Sequence, residues 1–178
     1  MVGSRPLSQG ISEGDGIAII VRVDDAEAAR AAEEQGAKAL AVEHQIAGIR
    51  AATSLPLLWL GKGTPQDADA VAIRPDTADL HEIETVMDVR SEEELEAALE
   101  DHDPEIFLLS PHQGDGHEDA LESVLELLPD VPAGKLAIAD VDVMSRDEVL
   151  TLERAGFDAV LVRPGNVGGL VGHSLPDV

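Results

Sequence analysis

The chain has 178 residues, of which 36 are Asp or Glu and 12 are Lys or Arg, so its formal net charge is −24. This charge excludes a nucleic-acid binder that works through a basic surface, and a hydrophobic content of 44% excludes a disordered acidic tail. The absence of cysteine excludes disulfides, thiolate metal sites and cysteine nucleophiles. We therefore expect one globular domain over residues 16–178, preceded by a flexible N-terminal segment over residues 1–15.

Neither a membrane span nor a secretion signal is visible in the sequence. No apolar run approaches the roughly 20 residues of a span, and the N-terminus lacks the apolar core of a signal peptide. We predict a cytoplasmic protein. Its surface is rich in acids and has only three lysines beside nine arginines, which suits the strong charge screening of a halophilic, high-salt cytosol. An acidic protein of an ordinary cytosol is the alternative.

Short apolar, β-branched runs alternate with charged stretches of helical spacing along the chain. In chain order, the predicted strands are Ile17–Val23, Ala37–Glu43, Leu55–Leu60, Ala70–Arg74, Thr85–Arg90, Glu105–Ser110, Lys135–Asp140 and Ala159–Arg163. The helices predicted between them are Ala26–Gln35, Glu92–Glu100, Glu118–Leu128 and Arg146–Ala155. Ser91 and Ser145 stand at N-cap positions, and Gly36 and Gly156 at C-terminal stops.

Alternation of strand and helix requires parallel strands joined by right-handed crossovers, and eight such units predict a closed (β/α)8 TIM barrel. The chain is short for this fold, which usually begins near about 200 residues. Some helices must therefore be very short, and the stretches 63–69 and 75–82 leave almost no room for one. An open, doubly wound parallel sheet is the alternative.

An internal repeat favours the closed barrel. The segment Asp67–Asp76 resembles Gly156–Gly165, so that the same Arg-Pro pair follows strands four and eight. The segment Ile20–Ala29 likewise resembles Met87–Glu96. Two similar four-strand halves form a barrel more naturally than they form an open sheet.

Basic residues gather where the predicted strands end. Five of the twelve bases lie there, namely Arg22, Lys62, Arg74, Arg90 and Arg163. In a barrel these strand ends meet at the active face, where the bases would form an electropositive mouth in an acidic body. This pattern predicts a site for a phosphate or a carboxylate. The alternative is an internal network of salt bridges with neighbouring acids.

Carboxylates at the same end are candidates for acid and base catalysis. Asp88 follows strand five at the same face as Arg90, and Asp140 lies near Asp142 after strand seven. Two close carboxylates raise each other's affinity for protons and can divide into an acid and a base. Divalent-cation binding is a second use of such a pair, and Asp142 is otherwise an ordinary loop acid. Lys62 is the candidate electrostatic partner.

The segment after strand eight is rich in glycine. Gly165, Gly168 and Gly169 would let backbone amides approach a phosphate beside Arg163, because the loops after strands seven and eight form the usual phosphate site of such barrels. A flexible C-terminal turn is the alternative. The His-rich loop at 111–119 lacks metal-ligand spacing, so we predict a mobile loop there, with no metal and no cofactor.

The order of these segments resembles the indole-3-glycerol-phosphate synthase family, whose members are ribulose-phosphate-binding barrels. The similarity lies in Ala28–Val42, Ser54–Leu58, Val86–Leu99 and Ala137–Val162, about two thirds of the chain. It implies a phosphate-binding barrel with lyase or isomerase chemistry at the mouth.

The family's catalytic residues are largely replaced. The strand-one lysine of the family falls on Arg22, and the strand-three lysine falls on Leu60, with Lys62 two residues further on. The strand-five glutamate falls on Asp88, and the strand-seven Glu-Ser-Gly falls on Asp140–Asp142. The synthase reaction itself is therefore not expected.

Two functions remain open from the sequence. The first is a divergent barrel that binds a small phosphorylated or carboxylated metabolite and acts as a lyase or an isomerase. The second is a catalytically inactive barrel that serves as a binding or assembly module. In either case we expect no nucleic-acid or membrane partner, and exposed barrel faces are suited to a homodimer.

Overall fold

Parallel strands closed into a barrel form the centre of the molecule. The structure, a computed structural model, describes residues 7–12, 16–62, 65, 67–76, 83–111, 116–143, 145–164 and 170. Within these residues the strands are β1 (Ala18–Arg22), β2 (Ala39–Val42), β3 (Leu57–Trp59), β4 (Ala70–Ile73), β5 (Glu84–Val89), β6 (Ile106–Leu109), β7 (Leu136–Asp140) and β8 (Ala159–Val162). The helices are α1 (Leu7–Ser12), α2 (Ala26–Glu34), α3 (Ile49–Ala52), α4 (Glu92–Asp101), α5 (His117–Leu127) and α6 (Arg146–Ala155), and a 3-10 turn, Leu128–Asp130, follows α5.

Pairing of the first strand with the last closes the sheet. Each strand pairs in parallel with its neighbours in sequence, and β1 pairs with β8 from Ala18 opposite Ala159 to Val21 opposite Val162. This confirms the predicted (β/α)8 TIM barrel and excludes the open sheet. The predicted strands all form, and the four predicted helices correspond to α2, α4, α5 and α6.

Alternation along each strand separates two apolar layers. Residues such as Ile20, Leu58 and Ile138 fill the barrel interior, together with many alanines. Trp59 points the other way and packs in the layer between strands and helices, because neighbouring residues of a strand face opposite sides of the sheet. No helix in the described part of the chain has the length and apolar character of a membrane span.

Short connections let so few residues complete the barrel. Helix α3 has only four residues, and residues 65 and 67–69, between β3 and β4, are not helical.

Helix α1 lies within the segment 1–15, for which we predicted a flexible N-terminus. It packs there because the buried side chains of Leu7 and Ile11 belong to the apolar cluster of the barrel interior. In addition, Ser8 hydrogen-bonds to Glu84 at the start of β5.

The internal repeat has a structural counterpart at the beginnings of β4 and β8. The Asp69 carboxylate accepts a hydrogen bond of 2.8 Å from the backbone N–H of Leu57 on β3. The Asp158 carboxylate accepts one of 2.8 Å from the N–H of Ala137 on β7. The two aspartates occupy equivalent positions of the repeat, so each half of the barrel joins its last two strands in the same way. Arg50 adds an ion pair of 2.6 Å to the buried Asp69.

We expect Asp69→Ala to lower the free energy of unfolding by about 2–3 kcal/mol, because it leaves the Leu57 N–H and the Arg50 guanidinium without their acceptor. Urea denaturation measures this. The matched control is Asp76→Ala at an exposed turn, which should change stability by less than about 0.5 kcal/mol. Equal stability of the two variants would contradict the structural role of Asp69.

Candidate functional site

The carboxyl ends of the strands carry most of the residues that the sequence singled out. Arg22 and Asp140 are the last residues of β1 and β7, and Asp88 is the last residue but one of β5. Arg74, Arg90, Ser110 and Arg163 directly follow β4, β5, β6 and β8. Barrel closure thus brings these residues from distant parts of the chain to one end of the molecule.

A cavity of about 710 Å³, here called the mouth cavity, opens among these strand ends. Its apolar walls include Leu60, Ala72 and Leu108. Its charged lining consists of Arg22, Lys62, Arg74, Arg90, Glu43, Asp88 and Asp140. Four cations therefore face three carboxylates in a chain that has three acids for every base. The lining of the mouth cavity is therefore much richer in cations than the chain as a whole.

Ion pairs connect most of these charges. The Arg22 Nη2 atom lies 3.0 Å and 3.1 Å from the two carboxylate oxygens of Asp140. Arg74 pairs with Glu94 and lies 3.7 Å from an oxygen of Asp88. Arg90 lies at the same distance from that oxygen. The salt-bridge network expected as the alternative is thus present, and it includes three of the four cations of the mouth cavity.

Lys62 is the exception, because it forms no ion pair with any residue that the structure describes. Its position depends on Gly61, where a Cβ atom would collide with the backbone carbonyl of Glu43 at the end of β2. Only glycine allows the chain leaving β3 to pass so close to β2. Lys62 consequently lies at the rim of the mouth cavity, with its side chain exposed.

Glu94 is a site residue that the sequence analysis missed. Its carboxylate accepts a hydrogen bond of 2.7 Å from the Arg90 backbone N–H and pairs with the Arg74 guanidinium. Its own N–H donates to the N-cap Ser91, so the signal was the spacing Ser91-x-x-Glu94 of a capping box. Glu94 therefore ties the start of α4 to a cation of the mouth cavity.

Asp88 and Asp140 meet through Ser110, a second residue that the sequence analysis did not assign to the site. The Ser110 hydroxyl lies 2.7 Å from one oxygen of Asp88 and 3.3 Å from one oxygen of Asp140. Burial raises the pKa of Asp140, Arg22 opposes the rise, and the Asp88 carboxylate adds to it. The net direction is upward, so Asp140 holds its proton more strongly than an exposed aspartate does.

Arg163 does not join the lining of the mouth cavity. Its side chain is 75% exposed and pairs at 2.9 Å with Asp142, which is also exposed. The predicted phosphate-binding glycines, Gly165, Gly168 and Gly169, lie outside the described residues, and so do residues 112–115 of the His-rich loop. Within the described part of the chain, no group of three His, Asp or Glu side chains is arranged to hold a metal ion.

A second cavity, of about 500 Å³, lies beside the beginning of α4. Arg90 borders both cavities, but the rest of the charged lining here is acidic, with Glu92, Glu93 and Glu126. A hydrogen bond with Asp130 and the repulsion between the two carboxylates raise the pKa of Glu92. In the lining of this cavity the three carboxylates therefore outnumber the one cation, Arg90.

We expect Asp140→Asn to be at least as stable as the natural chain at neutral pH. A carboxyl whose pKa is raised by folding stabilises the fold below its unfolded pKa, and this contribution is lost as the pH rises through the folded pKa. Ionised Asp140 is therefore a cost at pH 7 that asparagine does not carry. The stability gained by Asp140→Asn should disappear towards about pH 3. Urea denaturation at several pH values measures it. The quantity to compare is the stability of Asp140→Asn minus that of the natural chain. A smaller value at pH 7 than at pH 3 would contradict this explanation.

Arg22→Gln should have the opposite effect and cost about 1–3 kcal/mol at pH 7, because it leaves the partly buried Asp140 carboxylate without its cation. The loss should shrink at low pH, where Asp140 is protonated. The same denaturation series measures it, with Arg30→Gln on α2 as the matched control. A loss that does not change with pH would mean that Arg22 acts through packing alone.

Comparison with known proteins gives a fold and no family. No family model matches the chain, and no curated protein matches it. Among solved structures, 173 chains match. One is a thiamine phosphate pyrophosphorylase from Pyrococcus furiosus, with a TM-score of 0.60 and 18% sequence identity, covering 86% of this chain and 90% of that chain. At this identity the similarity shows the (β/α)8 barrel fold alone.

Proposed function

We propose that the mouth cavity binds a small anionic metabolite that carries a phosphate or a carboxylate. The observation that carries the proposal is Lys62, a cation without an ion-pair partner among the described residues, at the rim of a cavity with more cations than carboxylates. In a chain with a net charge of −24, a local excess of cations attracts anions selectively to this one opening.

Unused hydrogen-bond donors support the same proposal. Among the described residues, Arg22 donates to Asp140 through Nη2, which leaves donors on its Nε and Nη1 atoms for another group. An oxyanion is the ligand that would satisfy such donors, because guanidinium groups match the geometry of phosphate and carboxylate oxygens.

The chemistry that we propose is a lyase or isomerase reaction. Asp88 and Asp140 would act as base and acid, with Lys62 stabilising negative charge that develops on the substrate. Arg163 with Gly165, Gly168 and Gly169 would grip a phosphate at the edge of the mouth. A distant relation to the indole-3-glycerol-phosphate synthase family belongs to this proposal. The name of the Pyrococcus furiosus protein also refers to a phosphate ester, which accords with it.

An inactive binding or assembly module is the second candidate. The ion pairs of Arg22, Arg74 and Arg90 favour it, because they use cations that a substrate would otherwise engage. Under either function, the location that we propose is the cytoplasm. The homodimer remains a prediction, and so does the halophilic, high-salt cytosol.

We expect ribose 5-phosphate to raise the melting temperature of the protein, and uncharged ribose to leave it unchanged. Lys62→Gln should weaken the binding about tenfold or more, since it removes about 1.4 kcal/mol or more of attraction. Thermal-shift titration gives the apparent affinity. Lys38→Gln is the matched control, because Lys38 is an exposed lysine that precedes β2 at the opposite end of the barrel.

Arg163→Ala in the same titration tests the proposed phosphate grip after β8. A loss of affinity in this variant assigns the phosphate to that side of the mouth. The absence of any phosphate-dependent shift in the natural chain, or an equal shift in Lys62→Gln, would count against the ligand-binding proposal and favour the inactive module.

A further inference from the structure

Arg74 lies between two cavities of the molecule. On one side it lines the mouth cavity. On the other side it lines a cavity of about 360 Å³ beside α4, whose lining includes the carboxylates of Asp76, Glu93 and Asp101. An arginine side chain has many rotamers, and carboxylates attract its guanidinium. Arg74 therefore needs a fixed partner if it is to meet an anion in the mouth cavity.

Two contacts fix the Arg74 guanidinium at the end of β5. Its Nη2 atom pairs with the Glu94 carboxylate, and its Nη1 atom donates a hydrogen bond of 3.3 Å to the backbone carbonyl of Asp88. Because the contacts use different nitrogen atoms, they fix the plane of the guanidinium as well as its position. A guanidinium has five N–H donors. The hydrogen bonds with described residues use two of them and leave three for other oxygen atoms.

Glu94 is itself fixed at two points of α4. Its second carboxylate oxygen accepts a hydrogen bond of 2.7 Å from the Arg90 backbone N–H, and its own N–H donates to the N-cap Ser91. The described lining of the mouth cavity does not include Glu94. It can therefore act on a ligand in that cavity only through the arginines that it contacts or through its charge.

The internal repeat contains the same arginine without such a partner. Arg163 follows β8 as Arg74 follows β4, and β8 pairs with β1 as β4 pairs with β5. Helix α2 follows β1, and its N-cap side chain accepts a hydrogen bond from the N–H of Ala28. The N-cap side chain of α4 accepts one from the N–H of Glu94 in the same way. Ala28 thus occupies in α2 the position that Glu94 occupies in α4.

The two arginines differ accordingly. Arg74 is 35% exposed and lines the mouth cavity, whereas Arg163 is 75% exposed and pairs with the exposed Asp142. An alanine side chain has no acceptor that could hold Arg163 inward. The comparison between the two halves of the barrel indicates that the carboxylate at this position of the helix decides where the arginine points.

We propose that Glu94 is a positioning residue of the mouth cavity, which holds the Arg74 guanidinium where a bound anion meets it. Glu94 does not touch the ligand. It fixes, before binding, a side chain that would otherwise lose its rotamer freedom on binding, and such preorganisation strengthens binding. The inference rests on the proposed function, because an anion in the mouth cavity is the ligand that would use the fixed guanidinium.

Glu94→Gln separates the positioning role from the effect of charge. A carboxylate near an anion repels it, so removal of this charge by itself would strengthen anion binding. Loss of positioning would weaken it. A glutamine has one oxygen for two donors, and we expect the backbone N–H of Arg90 to keep it. The amide nitrogen of the glutamine cannot accept a hydrogen bond from Arg74.

We expect Glu94→Gln to bind ribose 5-phosphate about fivefold more weakly than the natural chain in a calorimetric titration. In an Arg74→Gln background the same change should not weaken binding, because no guanidinium is left to release. Glu100→Gln is the matched control, since it removes the same charge from an exposed position near the other end of α4, and it should leave the affinity unchanged.

Three results of this titration would overturn the proposal. The first is tighter binding by Glu94→Gln, which would mean that only its charge matters. The second is an equal loss of affinity in the natural and Arg74→Gln backgrounds, which would mean that Glu94 does not act through Arg74. The third is an affinity of Arg74→Gln equal to that of the natural chain.

A second measurement needs no ligand. The ¹⁵N relaxation of the Arg74 Nε atom, whose signal is assigned by its loss in Arg74→Gln, reports motion of the guanidinium. In the natural chain we expect Arg74 to be much more rigid than the exposed Arg30 on α2. In Glu94→Gln its order parameter should fall towards that of Arg30, and in Glu100→Gln it should not change. Equal mobility of Arg74 and Arg30 in the natural chain would refute the positioning role.

The two measurements distinguish failure of this inference from failure of the proposed function. If the natural chain does not bind ribose 5-phosphate, anion binding fails, and the order parameters alone decide whether Glu94 fixes Arg74. If ribose 5-phosphate binds and the Arg74 order parameter does not respond to Glu94→Gln, the positioning role fails and the anion site stands. The comparison with Arg30 uses the natural chain only, so it decides even if a variant does not fold.

Discussion

Closure of the sheet through β1 and β8 is the constraint on which the other features depend. Parallel pairing of these strands brings the last residues of all the strands to one opening. Arg22 and Asp140, 118 positions apart in sequence, become an ion pair for this reason. The helix-free residues described between β3 and β4, and the four-residue α3, show how a short chain still completes the cylinder. The mouth cavity is a consequence of that closure.

The charged residues distinguish this opening from the rest of the surface. Exposed carboxylates stay hydrated, so an acidic surface costs a protein little folding stability. Partly buried carboxylates at strand ends, in contrast, need cations or protons. Arg22 pairs with Asp140, Arg74 pairs with both Asp88 and Glu94, and the Arg90 guanidinium pairs with Asp88. The same cations therefore stabilise the barrel mouth and are the groups on which the proposed anion binding depends. Lys62 lies outside this network among the described residues.

Sequence reasoning succeeded where one local pattern determined the outcome. The short apolar, β-branched runs predicted the positions of the strands, and the serine N-cap before Arg146 predicted the first residue of α6. It missed α1, because a short helix around Leu7 is stable only against the open end of a finished barrel. It also gave Ser110, at the end of a predicted strand, no role in the site, since a single serine there has no pattern that distinguishes it.

The order of the elements and the set of charged residues at the strand ends could be predicted from the chain, because hydrophobic period and helix caps are local properties. The internal repeat favoured a closed sheet over an open one, and the pairing of β1 with β8 established it. Which of the charges meet could not be predicted, because it depends on tertiary contacts. Arg163 turned outward to Asp142, whereas Asp88 and Asp140 converged on Ser110. Those partners depend on the register between strands and on the direction of each side chain at the mouth, and both are set only when the barrel is closed.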